Sequence, residues 1–178
     1  MIKKTVIVGL LCWLSIPLQA YKDSTFTKDF SRTWQRTMDY TLTVAKAMPE
    51  EHYDFRPTED IRSFREQLGH LINNFAFLQY YITGKRDSPL KGLGDDLEGK
   101  SKEEVIKVVE KGFNFIADLI ESTSDEEIIQ PVQFFVSTVP MNKEKIFFLM
   151  RNHVTHHRGQ LILYLRMKKV QPPSYIGW

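Results

Sequence analysis

Residues 152–160 of the chain read Asn-His-Val-Thr-His-His-Arg-Gly-Gln, so three of its five histidines lie in this short stretch. Residues four apart on an α-helix share one face, so His153 and His157 point the same way if the stretch is helical. His156 is rotated by about 100° from His157, and it can also align with His153, three residues away. We take His153 and His157 as a pair that binds a metal ion and expect His156 to lie beside the site or at the surface.

The helix that carries this pair is predicted to run from Lys143 to Lys169, with Asn142 as its N-cap and Pro172-Pro173 beyond its end. Its inward face follows steps of three and four residues: Ile146, Met150, His153, His157, Gln160, Tyr164 and Met167. The face is apolar at its ends and polar in its middle. A buried polar group without a partner costs about 1–3 kcal/mol, so the imidazoles need a partner, and a divalent cation would serve.

A third histidine, His70, lies in a second amphipathic helix, predicted from Phe64 to Thr83. The apolar stripe of this helix comprises Phe64, Leu68, Leu71, Phe75 and Leu78. His70 falls at the edge of the stripe, where it could face another helix. Zinc sites with an open position typically have three protein ligands, one more than the pair on the last helix supplies. We therefore expect His70 to complete a metal site with His153 and His157. The alternative is that His70 is a hydrogen-bonded or surface histidine rather than a metal ligand.

Four other polar side chains are candidates for hydrogen bonds around these histidines. Gln67, Asn74 and Tyr81 fall near the same helix edge as His70, and Gln160 lies on the histidine face of the last helix. We expect Asn74 and Gln160 to hydrogen-bond to the imidazoles or to contact a substrate, because histidine ligands of metals commonly have such partners. Arg158 points away from the histidine face on a helical wheel, so an ion pair on the helix surface is expected for it.

The composition of the chain fits a single globular domain. It has 178 residues, 42% of them hydrophobic, including 12 phenylalanines, which is enough for a sizeable core. The formal net charge is +2, and two of the lysines, Lys3 and Lys4, belong to the leader described next. The remaining basic and acidic side chains are equal in number and form no basic stripe, so nucleic acid is not an expected partner.

Residues 1–20 have the form of a secretory signal peptide. A basic start at Lys3-Lys4 precedes an apolar run of about 14 residues, and Ala20 is a plausible cleavage edge. The run is shorter than the roughly 20 residues that cross a bilayer, so we expect cleavage, no remaining membrane span and a periplasmic or secreted protein. The mature domain, residues 21–178, then lacks the single cysteine, Cys12, so nitrogen and oxygen must hold any metal.

The rest of the chain reads as a helical bundle. The predicted helices are residues 24–48, 64–83, 101–122 and 143–169. Ser-x-x-Glu capping boxes at Ser63–Glu66 and Ser101–Glu104 open two of them. Residues 84–100 are rich in glycine and read as a flexible surface loop. The β-branched and aromatic run in 125–140 predicts one or two short strands or an extended crossover before the last helix.

Taken together, these motifs resemble the DinB/YfiT-like superfamily of metal-binding four-helix bundles. The matching segments are Met48-Pro49-Glu50-Glu51, Tyr53–Thr58, Arg62-Ser63-Phe64, Leu68-Gly69-His70-Leu71 and Asn152–Gln160. The resemblance implies an all-α, up-down-down-up bundle with a long crossover before the last helix. It also implies that His70, His153 and His157 hold a divalent metal, zinc or nickel. Three neutral imidazoles leave the charge of such an ion uncompensated, which favours an anionic ligand at the open position.

The resemblance further implies a metal-dependent enzyme, either a hydrolase or a thiol-dependent transferase, that acts on a small molecule. Export would keep such an enzyme away from the reducing thiol pool of the cytoplasm, which favours hydrolysis. The alternative is a non-catalytic metal- or small-ligand-binding bundle of the cell envelope, because Asn74, Tyr81 and Gln160 do not titrate near pH 7 and cannot act as a general base. A homodimer is a further expectation from the resemblance.

Overall fold

Four long helices dominate the computed structural model, which describes residues 25–135 and 138–176. The helices are α1 (Phe26–Ala47), α2 (Phe64–Thr83), α3 (Lys102–Ser122), the short α4 (Asp125–Ile128) and α5 (Lys143–Met167). The four long helices confirm the predicted ones to within about two residues at each end, as expected for boundaries set by caps. The predicted signal peptide lies outside the described residues. Within the described part of the chain, no helix has the length and hydropathy to cross a membrane.

Side-chain caps explain where the helices begin. Both predicted capping boxes are present, with the serine accepting from the glutamate backbone and the glutamate accepting from the serine backbone. A third box, Ser124–Glu127, opens α4, and Asn142 caps α5 as predicted. Each cap satisfies backbone N–H groups that the helix leaves without partners and contributes about 1 kcal/mol. These local signals fix the first turn of each helix before any tertiary packing is considered.

The long helices form a bundle in which α1 and α2 are diagonal to each other. Each of these two helices packs against both α3 and α5. At the centre, the Trp34 indole is fully buried, donates to the Phe113 carbonyl at 3.0 Å and packs against Phe75. The predicted all-α bundle is therefore confirmed. In α3, Phe113 lies in the core and Phe115 is half-buried.

The crossover from α4 to α5 contains the short β segment that the sequence predicted. Strand β1 (Pro131–Val132) pairs antiparallel with β2 (Met141–Asn142), and Val132 lies opposite Met141. The second strand leads directly into α5, where the Asn142 side chain accepts from the Lys145 backbone. The hairpin thus fixes the start of the helix that carries His153 and His157.

The glycine-rich connection between α2 and α3 is packed against α2 rather than loosely exposed. Leu90 and Leu97 are buried, and Gly94 faces Gly69 of α2. A Cβ on Gly94 would lie 2.2 Å from the Gly69 carbonyl oxygen, and a Cβ on Gly69 would lie 2.2 Å from the Gly94 carbonyl oxygen. The expectation of a flexible surface loop was therefore wrong for this part of the connection. Only glycine at both positions allows this approach, which places the loop next to His70.

Replacing Gly94 with alanine should destabilise the fold. The added methyl group would meet backbone that cannot move without lifting the loop from α2, and such overpacking typically costs about 1–3 kcal/mol. Urea unfolding of the variant should show a lower midpoint. Gly159→Ala is the matched control, because a Cβ at this helical position meets nothing within 4 Å. It should raise stability by about 0.5–1 kcal/mol. Equal midpoints for Gly94→Ala and the wild type would contradict the close approach.

Candidate metal centre

The three histidines singled out in the sequence meet between α2 and α5. His70 projects from α2, and His153 and His157 project from successive turns of α5. Their imidazole centroids lie 4.9 Å (His70–His153), 4.6 Å (His70–His157) and 4.4 Å (His153–His157) apart. One nitrogen of each ring lies within 4.8 Å of the corresponding nitrogens of the other two. The arrangement therefore offers three nitrogen donors to a single point.

The spacing of the two histidines on α5 fits a tetrahedral cation. His153 Nε2 and His157 Nε2 are 3.1 Å apart. Two imidazole nitrogens bound to one tetrahedral zinc at about 2.0–2.1 Å would be separated by about 3.3 Å. Without a cation, two facing Nε2 atoms need one proton between them to avoid a lone-pair repulsion. The spacing of this pair is therefore close to that of two imidazole nitrogens on one tetrahedral divalent cation.

Burial keeps these imidazoles neutral. The pKa of His157 is lowered from 6.5 to about 3 and that of His153 from 6.5 to about 4, chiefly by desolvation. The neighbouring histidines and the Arg62 guanidinium contribute the rest of each shift, because positive charges repel a proton. The pKa of His70 is lowered mainly by desolvation and also by Arg62. Neutral imidazoles have the free lone pair that a metal ligand needs, so the site does not have to lose protons at pH 7.

A buried glutamine fixes which nitrogen of His157 faces the cluster. The Gln67 Nε2 group donates to Gln160 Oε1 at 2.6 Å and to the Tyr164 hydroxyl at 3.3 Å. That hydroxyl uses its own proton on the Arg62 carbonyl at 2.9 Å, so it can only accept from Gln67. Gln67 Oε1 is then left to accept from His157 Nδ1 at 2.7 Å. With the proton on Nδ1, the lone pair of His157 is on Nε2, directed at the cluster.

Neither Asn74 nor Gln160 is hydrogen-bonded to one of the three clustered imidazoles. Gln160 reaches His157 only through Gln67, and its Nε2 group donates to His156 Nε2 at 2.9 Å. The His156 side chain is exposed, in agreement with its expected position beside the site. Asn74 Oδ1 is buried and has no hydrogen-bond partner among the described residues. His153 Nδ1 is also buried without a hydrogen-bond partner among the described residues. No hydrogen bond therefore fixes the tautomer of His153, in contrast to that of His157.

Two expectations for α5 were wrong. Arg158 is buried, with 5% of its surface exposed, and its guanidinium lies over the Tyr40 ring at 4.5 Å from the centroid. It donates to the Thr37 carbonyl and the Thr41 hydroxyl, both at 3.4 Å. The face opposite the histidines is covered by α1, so it carries no surface ion pair. Met167, expected on the inward face, is 48% exposed.

A cavity of about 420 Å³ opens beside His70. Its walls come from the segment before α2, the first turns of α2 and the glycine-rich loop, and they include Arg62, Glu66, Asn73 and Asp95. Arg62 was not identified as a site residue from sequence. Its guanidinium makes no hydrogen bond or ion pair with a described residue, although it repels protons from all three histidines. In the sequence, only the position of Arg62 directly before the N-cap of α2 could have identified it as a site residue.

Acidification should destabilise the metal-free protein between about pH 6.5 and pH 5. In the unfolded chain the histidines regain their ordinary pKa of about 6.5, so the unfolded state binds more protons than the fold does in this range. The free energy of unfolding therefore falls as the pH falls, and it does not change through this cause above about pH 7. Urea midpoints of chelator-treated protein at several pH values test this.

The matched control for this pH dependence is the double variant His153→Gln/His157→Gln, which should have a flatter profile. Carboxylates with lowered pKa, such as Asp54 beside Arg65 and Glu66 at the capping box, lose their contribution only at lower pH. The same slope in the double variant and the wild type would show that the two imidazoles do not cause the effect.

Comparisons with known proteins agree with this fold. A family model described as the DinB superfamily matches residues 32–161. The uncharacterized protein YjoA of Bacillus subtilis is 24% identical over 136 residues, which cover 76% of this chain and 86% of YjoA. The crystal structure of YjoA has a TM-score of 0.65 at 16% identity and covers 83% of this chain and 97% of its own. A DinB-like protein from Bacillus cereus has a TM-score of 0.70 at 16% identity, with 82% and 95% covered. The chain belongs to the DinB superfamily.

Proposed function

We propose that this protein is an exported metal-dependent enzyme that acts on a small molecule through a zinc or nickel ion held by His70, His153 and His157. The observation that carries the proposal is the convergence of three neutral imidazoles beside an open cavity. Without a cation, the His153 and His157 Nε2 atoms, 3.1 Å apart, would have only one shared proton between two lone pairs. Three protein nitrogens with one position left open are the usual arrangement of a catalytic rather than a structural site.

The residues around the cluster are suited to an anionic substrate. A divalent cation bound there supplies Lewis-acid chemistry at the open position. The three imidazoles add no negative charge, so they leave the charge of the ion uncompensated. The wall of the cavity carries Arg56 and Arg62 together with four carboxylates, those of Glu59, Asp60, Glu66 and Asp95. Gln67 holds the His157 ring in place through its hydrogen bond to Nδ1. A carboxylate or phosphate group of a substrate would therefore bind at the ion and beside Arg62, away from the carboxylates of the cavity wall.

Among the two reaction classes, we favour hydrolysis over thiol transfer. The proposed export places the protein outside the cytoplasm, where low-molecular-weight thiols are not kept reduced. Hydrolysis needs only water as the second substrate. In the described part of the chain, no carboxylate is hydrogen-bonded to the three imidazoles, so the general base would have to come from the cavity wall, where Glu59 and Glu66 lie. Glu66 is already engaged by Ser63 and Arg56, which leaves Glu59 as the freer group.

This lack of a contacting carboxylate also supports a second candidate, a non-catalytic metal- or small-ligand-binding bundle of the cell envelope. The hydrogen bonds that surround the histidines come from amides and from one another rather than from an acid or base. Three nitrogen ligands would serve sequestration as well as catalysis. The two candidates share the metal site and differ in turnover.

Elemental analysis combined with an activity screen tests the proposal. The mature protein, purified without a histidine tag, should contain one equivalent of zinc or nickel. It should hydrolyse at least one member of a panel of carboxylate- and phosphate-bearing esters and amides. Chelation should remove both metal and activity, and readdition should restore both. Bound metal without turnover on the panel would favour the binding bundle, and no metal after reconstitution would exclude both metal-based candidates.

Export is tested separately on the full chain. We propose cleavage after Ala20, because the basic start and the apolar run of the first 20 residues have the form of a signal peptide. Expression of the full chain should yield protein outside the cytoplasm with Tyr21 as its first residue. Replacing Leu10 and Leu11 in the apolar run with arginine should retain the chain in the cytoplasm with its leader intact. A full-length protein in the cytoplasm of the wild type would contradict export.

A further inference from the structure

A second cavity lies along α2, next to the first. We call it the aromatic cavity, because its walls include Phe77, Tyr80, Tyr81 and Phe135. Its volume is about 640 Å³, larger than the 420 Å³ beside His70 and within the usual range for small-molecule sites. Arg86 also lines it and stacks over the Tyr80 ring at 5.1 Å from the centroid. The cavity therefore combines aromatic walls with a fixed cation.

The aromatic side chains of this cavity contact one another but leave apolar surface open to solvent. Phe77 packs against Tyr81 at 5.6 Å and against Phe135 at 6.0 Å between ring centroids. Yet Phe77 is 44% exposed and Phe135 is 72% exposed. Large apolar groups that are exposed together beside a concave surface are typical of a ligand-binding site. Single exposed apolar side chains scattered over a surface do not indicate one.

The two cavities adjoin along α2. Asn73 and Asp95 line both, and the Asn73 Nδ2 group donates to Asp95 Oδ1 at 2.6 Å. His70, Asn73 and Phe77 follow one another on successive turns of the helix. At 1.5 Å per residue, Phe77 lies about 10 Å along the helix axis from His70. An elongated molecule that passes over the Asn73–Asp95 pair would therefore reach both the histidine end and the aromatic cavity.

The charges set the polarity of such a molecule. The histidine end holds the Arg62 guanidinium, which makes no hydrogen bond or ion pair with a described residue, and also Arg56 and four carboxylates. These carboxylates offset the arginines, so an anionic group is favoured at this end by the divalent cation proposed for the three histidines, with Arg62 beside it. An aromatic or apolar group is favoured at the other end, among the aromatic rings.

We propose that the aromatic cavity binds the aromatic or apolar tail of an anionic substrate whose charged group lies at the histidine cluster and Arg62. This inference rests on the proposed function for the position of the charged group. It names the substrate class of that site: a small carboxylate or phosphate compound with an apolar tail about 10 Å from the charge.

Calorimetric titration of the zinc-loaded protein tests the proposal with two probes, 6-phenylhexanoate and hexanoate. They share the carboxylate and the chain, and only the first carries a ring that reaches Phe77. The phenyl compound should bind about tenfold more tightly. Phe77→Ala should remove that difference and leave hexanoate binding unchanged. Phe148→Ala is the matched control, because Phe148 is 42% exposed and packs against Phe26 and Phe30, away from the cavity.

A metal-free arm separates this inference from the proposed function. Titration of chelated protein with the fluorescent aromatic anion 8-anilinonaphthalene-1-sulfonate should show one saturable site, weakened about tenfold in Phe77→Ala and unchanged in Phe148→Ala. If zinc fails to bind but this site is present, the metal proposal fails and the aromatic cavity stands. If zinc binds and Phe77→Ala changes neither the probe nor the ratio of the two carboxylates, the aromatic cavity is overturned.

Discussion

Replacing His70 or His157 with alanine is expected to abolish stoichiometric binding of zinc or nickel. The cluster offers three nitrogens, and either change leaves two, which rarely complete a site. The loss of affinity should exceed the roughly 10–100-fold effect of removing an outer hydrogen-bond partner. Elemental analysis after dialysis and a competition titration with a chromophoric chelator measure the loss. Circular dichroism should show unchanged helical content, because the core around Trp34 is separate from the cluster.

Two other histidines provide matched controls for these variants. His156 is exposed and hydrogen-bonded to Gln160, and His52 lies in a 3₁₀ turn at Glu50–His52, outside the cluster. His156→Ala and His52→Ala should keep a full metal equivalent. Full retention of metal in both His70→Ala and His157→Ala would remove the three-histidine assignment. Loss in His156→Ala together with retention in His157→Ala would show that the pair on α5 was chosen wrongly.

Metal binding should also couple to stability. A cation that binds only the folded state stabilises it by about 2.7 kcal/mol when its free concentration is 100 times the dissociation constant. The wild type should therefore melt at a higher temperature with added zinc, and the two alanine variants should not respond. This stabilisation depends on the concentration of free metal, so the variants can remain folded without bound metal.

The helices and the shared face of two of the three clustered histidines were predictable because their determinants are local. The Ser-x-x-Glu boxes at Ser63 and Ser101 and the cap at Asn142 depend only on neighbouring residues, and the structure contains all three. The four-residue spacing of His153 and His157 fixes their shared face once the helix is given. The position of His70 depends on how α2 packs against α5, so the sequence could place it at an edge of its helix but not at a distance from the pair.

The errors arise where two helices cover two faces of a third. A helical wheel with one inward face places Arg158 outside, yet α5 contacts α1 on one side and α2 on the other. Arg158 is buried on the α1 side, where its guanidinium lies over the Tyr40 ring. The packing of Gly94 against Gly69 is a long-range contact of the same kind. Periodicity reports that a helix is amphipathic, but it cannot tell how many neighbours surround it.

Gln67 shows what the sequence could and could not indicate about the site. Its place on the His70 edge marked it as a candidate partner, but the direction of its hydrogen bonds depends on Tyr164 and the Arg62 carbonyl. Those groups come from another helix and from the loop before α2. The tautomer of His157 is therefore a property of the assembled bundle, and it leads to the second large expected effect.

Gln67→Met should weaken zinc affinity about 10–100-fold, because it removes the acceptor that keeps the His157 proton on Nδ1. Gln67→Glu should retain the affinity, since a carboxylate also accepts from Nδ1 and supports a ligating imidazole. A purely structural role predicts the opposite order, as a buried charge costs more than a methionine. Gln79→Met is the matched control: Gln79 is as buried as Gln67, on the same helix, and hydrogen-bonds to the Lys85 carbonyl. It should lower stability but not affinity, and equal losses in Gln67→Met and Gln79→Met would refute the tautomer argument.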